Sequence, residues 1–236
     1  MKKVLLIHGW NYRNYTGQTK EKDAWHNRLE LVNNLEKKYE VFRLNLPGFC
    51  GQEEPNKVWN LDDYAEYIRD YLVQNNLNVD YILGYSFGAA VAIKYYLNYG
   101  SREKLILISP AIIRNNSKSK TFVKTPKIFD GIRRFLRDKY LIYIVKTPEV
   151  VYGTKFLRET YQNIVRIDLR DYVLNIKEDN LLIVYGDKDD MVNPVAVINY
   201  LSDGYKKRIK LIKNGDHNIG KTHYLEIIDF IEKNYK

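Results

Sequence analysis

Short apolar runs rich in β-branched residues recur along this chain of 236 residues and predict strands. These runs occupy residues 3–8, 39–45, 79–84, 104–109, 181–186 and 208–213. The segments between them carry apolar residues at helical spacing. Strands that are apolar almost throughout and alternate with helices favour an α/β fold with a mostly parallel, doubly wound sheet. In such sheets the functional residues lie at the carboxyl ends of the strands.

Three segments show the helical spacing clearly. Their apolar residues are Trp25, Leu29, Val32 and Leu35, then Leu61, Tyr64, Ala65, Ile68 and Leu72, and finally Leu225, Ile228, Phe230 and Ile231. Residues 111–178 break the alternation, because they show helical patterns and no convincing parallel strand. We therefore predict an α/β core of residues 1–110 and 179–236, with residues 111–178 inserted as a helical cap over the strand ends.

The overall composition is that of an ordinary globular domain, with 45% hydrophobic and 28% charged residues. The apolar run near the N-terminus is too short for a signal peptide, and no run approaches the roughly 20 residues that span a bilayer. The one cysteine, Cys50, cannot form an internal disulfide, which suits a reducing compartment, and we expect it to be structural or idle. These features predict a cytoplasmic protein with no integral membrane association.

The net charge of +9 is concentrated in the predicted cap, where residues 111–178 hold 15 Lys and Arg against 7 Asp and Glu. One interpretation is that this surface only keeps the protein soluble. Another is that it attracts an anionic substrate, such as a thioester linked to an acyl carrier or to coenzyme A. Nucleic-acid binding is a third interpretation, but no helix-turn-helix, zinc or RNA-binding signature supports it, and we predict no such partner.

The most informative motif is the pentapeptide Gly84-Tyr85-Ser86-Phe87-Gly88, called the elbow below. It joins a predicted strand to a predicted buried helix. On such a turn the serine hydroxyl projects from the backbone, and the helix N-terminus lies beneath any oxyanion that forms. The two glycines suit a turn that brings backbone segments too close together for a Cβ. We predict Ser86 as a nucleophile.

A serine nucleophile needs a base, and the base needs a partner that fixes its tautomer. The chain has four histidines, of which His8 and His26 lie on the first strand and the first helix. Only His217 and His223 follow a late strand, and His217 is nearer to its end. We predict His217 as the base and keep His223 as the alternative.

Three carboxylates crowd the loop that follows the predicted strand 181–186: Asp187, Asp189 and Asp190. The loop position predicts that one of them orients the base, and Asp189 is our preferred candidate. No Asp or Glu occurs between residues 104 and 129, which excludes an acid after the preceding strand. The resulting chain order of serine, acid and histidine is the one that accompanies a G-x-S-x-G serine.

Stabilising an oxyanion usually takes two backbone N–H groups. Phe87, which follows the serine, supplies one at the helix N-terminus. The second is expected from the loop after the first strand, where Trp10 N–H is the candidate and Gly9 gives the chain freedom to turn. The indole of Trp10 either walls the substrate pocket or packs in the core.

Together these residues resemble the α/β-hydrolase superfamily, specifically its small, capped, esterase-like members, over almost the whole chain. The matching segments are His8-Gly9-Trp10, Leu46-Pro47-Gly48-Phe49, the elbow, Gly186-Asp187-Lys188-Asp189 and Gly215-Asp216-His217. The resemblance implies that Trp10 donates to the oxyanion hole and that Asp189 is the triad acid. It also implies a sheet of about six strands, without the two extra N-terminal strands common in this fold. One departure is Cys50-Gly51-Gln52, where family members often continue with Gly-x-Ser.

The leading hypothesis is a serine hydrolase that cleaves a carboxylic ester or thioester of a small acyl compound through an acyl-serine, with no cofactor or metal. The same residues would serve C–C bond hydrolysis, amide cleavage or acyl transfer. A ligand-binding or signalling protein on the hydrolase fold is the alternative from a different class. The sequence does not predict the oligomeric state.

Overall fold

Six parallel strands form one sheet in this computed structural model, which describes residues 1–100, 102–113 and 147–235. The strands are β1 (Lys2–Ile7), β2 (Tyr39–Leu44), β3 (Tyr81–Tyr85), β4 (Lys104–Ile108), β5 (Leu181–Gly186) and β6 (Ile209–Ile212). Their order across the sheet is β2-β1-β3-β4-β5-β6, and every neighbouring pair is parallel. The predicted α/β class and the six predicted strands are confirmed.

Helices cover both faces of the sheet. They are α1 (Leu29–Glu36), α2 (Leu61–Gln74), α3 (Phe87–Tyr99), α4 (Pro148–Val151), α5 (Lys155–Ile164), α6 (Arg170–Val173), α7 (Pro194–Tyr200), α8 (Asp203–Lys206), α9 (Ile219–Thr222) and α10 (Tyr224–Asn234). Residues of α2 and α3 pack on one face of the sheet, and those of α1, α9 and α10 on the other. Tyr85 belongs to the core of the second face and Phe87 to the core of the first, so the elbow is anchored on both sides.

The first and last helices differ in detail from the sequence pattern. Trp25 lies ahead of α1, because the Asp23 carboxylate accepts a hydrogen bond from Trp25 N–H and a short 3-10 turn, His26–Arg28, precedes the helix. In α10 the side chain of Leu225 is exposed, and the buried residues are Ile227, Ile228 and Ile231. Both helices are present as predicted, but the first begins later than its apolar pattern indicates and the last buries a partly different set of residues.

The chain between β4 and β5 contains only helices and turns where the structure describes it, from residue 147 onward. It is tied to the core by Leu169 N–H, which donates to the Ile112 carbonyl at 2.9 Å. Residues 114–146 of the predicted cap lie outside the described residues, and they hold ten of its 15 Lys and Arg. The division into core and cap therefore stays a prediction. No described helix has the length and apolarity to cross a bilayer.

Candidate active site

Ser86 occupies a strained position between β3 and α3. Its backbone has φ 53° and ψ −110°, a conformation that non-glycine residues rarely adopt. The end of β4 holds it there, since Ser86 N–H donates to the Ile108 carbonyl at 2.9 Å and the Ser86 carbonyl accepts from Ala111 N–H at 3.1 Å. The sharp turn predicted for the elbow is therefore present and is clamped by the neighbouring strand.

The two glycines of the elbow permit close approach of backbone segments, as expected. A Cβ added to Gly84 would lie 2.5 Å from Ala89 Cα, and one added to Gly88 would lie 2.2 Å from the Ile7 carbonyl oxygen. Both separations are far below a van der Waals contact. Any side chain at either position would push α3 away from β1 and β3, and would move Ser86 with it.

Ser86, His217 and Asp189 are joined by one chain of hydrogen bonds. His217 Nε2 lies 2.9 Å from Ser86 Oγ, and His217 Nδ1 lies 2.8 Å from Asp189 Oδ2. The other carboxylate oxygen, Asp189 Oδ1, accepts from the backbone N–H groups of Met191 and Val192 at 3.0 and 3.1 Å. A carboxylate so placed requires the proton on Nδ1, which leaves Nε2 as the acceptor that faces the serine hydroxyl.

The alternative candidates lie outside this chain. His223 is paired with the Thr222 hydroxyl, with 2.7 Å between Oγ1 and Nδ1, and Asp187 and Asp190 are exposed. Ser86, Asp189 and His217 are instead almost completely buried. The structure thus brings together the three residues preferred from the sequence.

The loops that carry the acid and the base are bonded to each other through their backbones. Lys188 N–H donates to the Gly215 carbonyl at 2.9 Å, and Asp187 N–H donates to the Ile212 carbonyl at 3.0 Å. These bonds tie the loop after β5 to the end of β6 and to the loop that follows it. The separation of Asp189 from His217 is therefore fixed by the sheet itself.

Trp10 and Phe87 flank the serine from a loop and from the start of a helix. Phe87 is the first residue of α3, and its N–H belongs to the unpaired donors of a helix N-terminus. Trp10 follows β1, and a Cβ added to the preceding Gly9 would lie only 3.2 Å from Ser86 Cβ. Neither backbone N–H donates to another described residue. Both residues thus lie beside the elbow, and their part in an oxyanion hole stays a prediction.

The indole of Trp10 packs in an aromatic cluster formed with Tyr15, Phe49, Phe87 and Tyr161. Its ring centroid lies 5.1 Å from that of Phe49, 5.2 Å from that of Phe87 and 5.4 Å from that of Tyr161. Its Nε1–H donates to the Tyr15 hydroxyl at 2.6 Å. Because Tyr161 lies on α5, this cluster connects the loop after β1 to the segment between β4 and β5.

His8 is a site residue whose role the sequence did not reveal. It is buried, and burial lowers the pKa of its imidazole from 6.5 to about 4. Nε2 accepts from Leu46 N–H at 3.0 Å, so Nδ1 carries the proton and donates to the Gly9 carbonyl at 2.8 Å. The Gly9 carbonyl and Trp10 N–H belong to one planar trans peptide and point in opposite directions. Neutral His8 therefore orients the Trp10 N–H.

An apolar recess lies beside the elbow. Its walls are formed by Leu61, Phe87, Ala90, Ala111, Ile164, Val165, Ile167 and Leu169. Phe87 and Ala111 connect the recess to Ser86, because Phe87 follows it in sequence and Ala111 N–H donates to its carbonyl. The recess therefore offers an apolar surface to the part of a substrate that binds next to Ser86.

Cys50 takes no part in the hydrogen-bonded chain. It is buried, with φ 48°, and its N–H donates to the Asn14 carbonyl at 2.8 Å. Burial raises the pKa of its thiol to about 11, which keeps it protonated and unreactive at neutral pH. These features agree with the structural role expected for it.

Comparison with known proteins places this fold among hydrolases. A family model described as the alpha/beta hydrolase fold matches residues 2–164. A putative non-heme chloroperoxidase from Synechocystis is 21% identical over 250 residues, covering 93% of this chain and 86% of its own.

Two solved structures illustrate the likeness in fold. An esterase from Exiguobacterium antarcticum has a TM-score of 0.65 at 18% identity, covering 98% of this chain and 92% of its own. A 2-hydroxy-6-oxo-6-phenylhexa-2,4-dienoate hydrolase from Rhodococcus has a TM-score of 0.64 at 14% identity, covering 99% and 90%. At these identities the likeness establishes the fold, and the chemistry has to be argued from the residues of this chain.

Proposed function

This chain belongs to the α/β-hydrolase family, and from that premise we propose that it is a serine hydrolase that cleaves a carboxylic ester or thioester through an acyl-serine. The observation that carries the proposal is the hydrogen-bonded chain from Ser86 Oγ through His217 to Asp189. A buried, oriented imidazole whose acceptor nitrogen faces a serine on a strained turn has the arrangement needed for nucleophilic catalysis.

In the first half of the proposed reaction, Ser86 Oγ attacks the carbonyl carbon while His217 Nε2 takes the hydroxyl proton. The developing oxyanion points toward the N–H groups of Phe87 and Trp10. Asp189 stabilises the imidazolium through Nδ1–H. When the tetrahedral intermediate collapses, the imidazolium gives its proton to the leaving alcohol or thiol, and the acyl group stays on Ser86.

In the second half, His217 activates a water molecule, which attacks the acyl-serine carbonyl. The second tetrahedral intermediate collapses when the imidazolium returns the proton to Ser86 Oγ, and the free acid leaves. The apolar walls of the recess beside Phe87 and Ala111 favour contact with the acyl group. A small-molecule acyl substrate therefore fits this site best.

The proposal is tested by fluorophosphonate labelling and by turnover of p-nitrophenyl acetate and butyrate. Wild-type protein should become labelled on Ser86 and should turn over the esters. Ser86→Ala should lose labelling completely and lower kcat by about 10³-fold or more. Ser202→Ala, at a serine remote from the site, is the matched control and should behave as wild type. Labelling of Ser86→Ala at the wild-type rate would contradict the proposal.

A second candidate is C–C bond hydrolysis by the same three residues. The observation that favours it is the likeness in fold to a hydrolase named for a 2-hydroxy-6-oxo-dienoate, over 99% of this chain. Turnover rates on a panel of esters, thioesters, amides and vinylogous diketones distinguish these chemistries. A stoichiometric burst without turnover on every substrate would favour a ligand-binding protein.

The basic residues of the predicted cap motivate a narrower form of the proposal, in which the substrate is anionic or linked to a carrier. Within residues 147–178 the basic and acidic residues balance, so the excess lies in residues 114–146, outside the described residues. If the hypothesis holds, kcat/KM for an acyl-coenzyme A falls with ionic strength and kcat/KM for a neutral ester does not. A cytoplasmic location remains part of the proposal, on the argument from Cys50.

A further inference from the structure

The phenol of Tyr85 joins the nucleophile's strand to the loop of the base. Tyr85 immediately precedes Ser86, and its side chain is buried on the α1 and α10 side of the sheet. Its hydroxyl donates to the His217 carbonyl at 2.6 Å and accepts from Gly220 N–H at 3.4 Å. One side chain thus binds the backbone of the base residue, 132 positions away in sequence, and the start of the following helix.

The ring of Tyr85 is itself held in place. The Arg28 guanidinium lies 4.1 Å from the ring centroid, within the range of a cation–π interaction. The rings of Trp25 and His217 meet it edge-on, each with 6.2 Å between centroids. Arg28 also donates through Nη2 to Asn218 Oδ1 at 3.2 Å, so it contacts the residue that follows the base.

The helix after the base approaches the same ring closely. A Cβ added to Gly220 would lie 2.6 Å from Tyr85 Cε2 and 3.4 Å from Arg28 Cδ. Glycine is therefore required at this position if α9 is to rest on the phenol. The loop after β1, which carries Gly9 and Trp10, also approaches the ring, because a Cβ added to Gly9 would lie 3.5 Å from Tyr85 Cδ1.

We propose that Tyr85, braced by Arg28, is a positioning residue that sets the distance between the His217 imidazole and the Ser86 hydroxyl. Tyr85 moves with the elbow because it is bonded to Ser86, and its hydroxyl holds the His217 backbone. The nucleophile–base separation of 2.9 Å therefore depends on one buried phenol as well as on the sheet. The inference rests on the proposed function, since it assigns a role relative to those two residues.

Tyr85→Phe is the direct test, because it keeps the ring and its contact with Arg28 and removes only the hydroxyl. We expect kcat for p-nitrophenyl butyrate and the maximal rate of fluorophosphonate labelling to fall about 10-fold, with KM changed less than about 2-fold, since a small displacement of the base slows proton transfer. A role confined to stability would lower the melting temperature and leave both rates per folded molecule unchanged.

Tyr235→Phe is the matched control, because it removes another buried tyrosine hydroxyl, which donates to the Leu105 carbonyl at 3.3 Å in the same core. It should lower the melting temperature and keep kcat within about 2-fold of wild type. If Tyr85→Phe does not fold, Arg28→Ala removes the brace instead and should lower kcat about 3-fold. Wild-type kcat in the folded Tyr85→Phe, or in Arg28→Ala where that variant is needed, overturns the inference.

The outcomes separate this inference from the proposed function. Wild-type protein that is not labelled on Ser86 overturns the proposed function and this inference with it. Wild-type protein that is labelled, together with a folded Tyr85→Phe that is labelled at the same rate, overturns only the role assigned to Tyr85.

Discussion

The two neighbours of Ser86 anchor the site in different ways. Phe87 packs among aromatic rings, with its centroid 5.2 Å from that of Trp10 and 5.1 Å from that of Tyr64. Tyr85, on the other face of the sheet, holds the His217 loop by a hydrogen bond and stacks against a cation. The face that holds Phe87 lies toward the recess and the loop that carries Trp10, and is called the recess side. The face that holds Tyr85 lies toward His217 and is called the base side.

The difference matters because the two kinds of contact respond differently to substitution. Apolar packing has little directional preference, so the recess side can change shape while remaining buried. Hydrogen bonds depend on distance and angle, so the base side tolerates little displacement. We therefore expect substitutions on the base side to change the rate of chemistry, and substitutions on the recess side to change which substrate is accepted.

The largest effect on the base side is expected from Asp189→Asn. An amide at this position cannot hold His217 in the tautomer that has its proton on Nδ1, so kcat should fall about 10³- to 10⁴-fold with KM little changed. Steady-state kinetics on p-nitrophenyl butyrate measures both constants. The matched controls are Asp187→Asn and Asp190→Asn, which alter exposed carboxylates of the same loop and should keep kcat within about 2-fold.

If Asp187→Asn or Asp190→Asn lost activity while Asp189→Asn kept it, the acid would not be Asp189. Equal and small losses in all three variants would remove the acid from the mechanism altogether. Either result would show that catalysis does not need the hydrogen bond between His217 and Asp189. The comparison between the two sides would then lose its main support.

Much of the fold and the residues of the candidate site could be predicted from the sequence because they depend on local patterns. Local sequence is enough to place the apolar strands, the G-x-S-x-G turn and the loops after the late strands within a parallel sheet. The turn and these loops then meet at the carboxyl ends of the strands. The roles of His8 and Tyr85 were not accessible. His8 depends on Leu46 N–H, and Tyr85 depends on the His217 carbonyl. Both partners are far away in sequence, and no spacing rule relates such pairs.

His8 provides the next test, on the oxyanion side. Its pKa is about 4 in the folded protein and 6.5 when exposed, so the folded state disfavours its protonation. The stabilisation is complete above pH 6.5 and is lost as the pH falls from 6.5 toward 4. The loss is about 1.4 kcal/mol per pH unit and about 3 kcal/mol in total.

Urea unfolding of wild type and His8→Asn between pH 4 and pH 7.5 measures this contribution. His8→Asn should be less stable at pH 7.5, because it loses the packing of the imidazole against Phe49 and the bond from Leu46 N–H. Its free energy of unfolding should fall less steeply with acid than that of wild type. Parallel curves for the two proteins would show that His8 is not held neutral by the fold.

The smallest effect is expected in the recess, from Ala90→Leu. The larger side chain would extend into the recess that Ala90 lines together with Leu61 and Ile164, so the site should accept short acyl groups and reject longer ones. We expect kcat/KM for p-nitrophenyl hexanoate to fall about 10-fold and that for the acetate to fall less than about 2-fold. The ratio of the two substrates within one variant is the internal control, since a reduced folded fraction lowers both values equally. An unchanged ratio would mean that acyl groups bind elsewhere, and the recess side would then differ from the base side in packing alone.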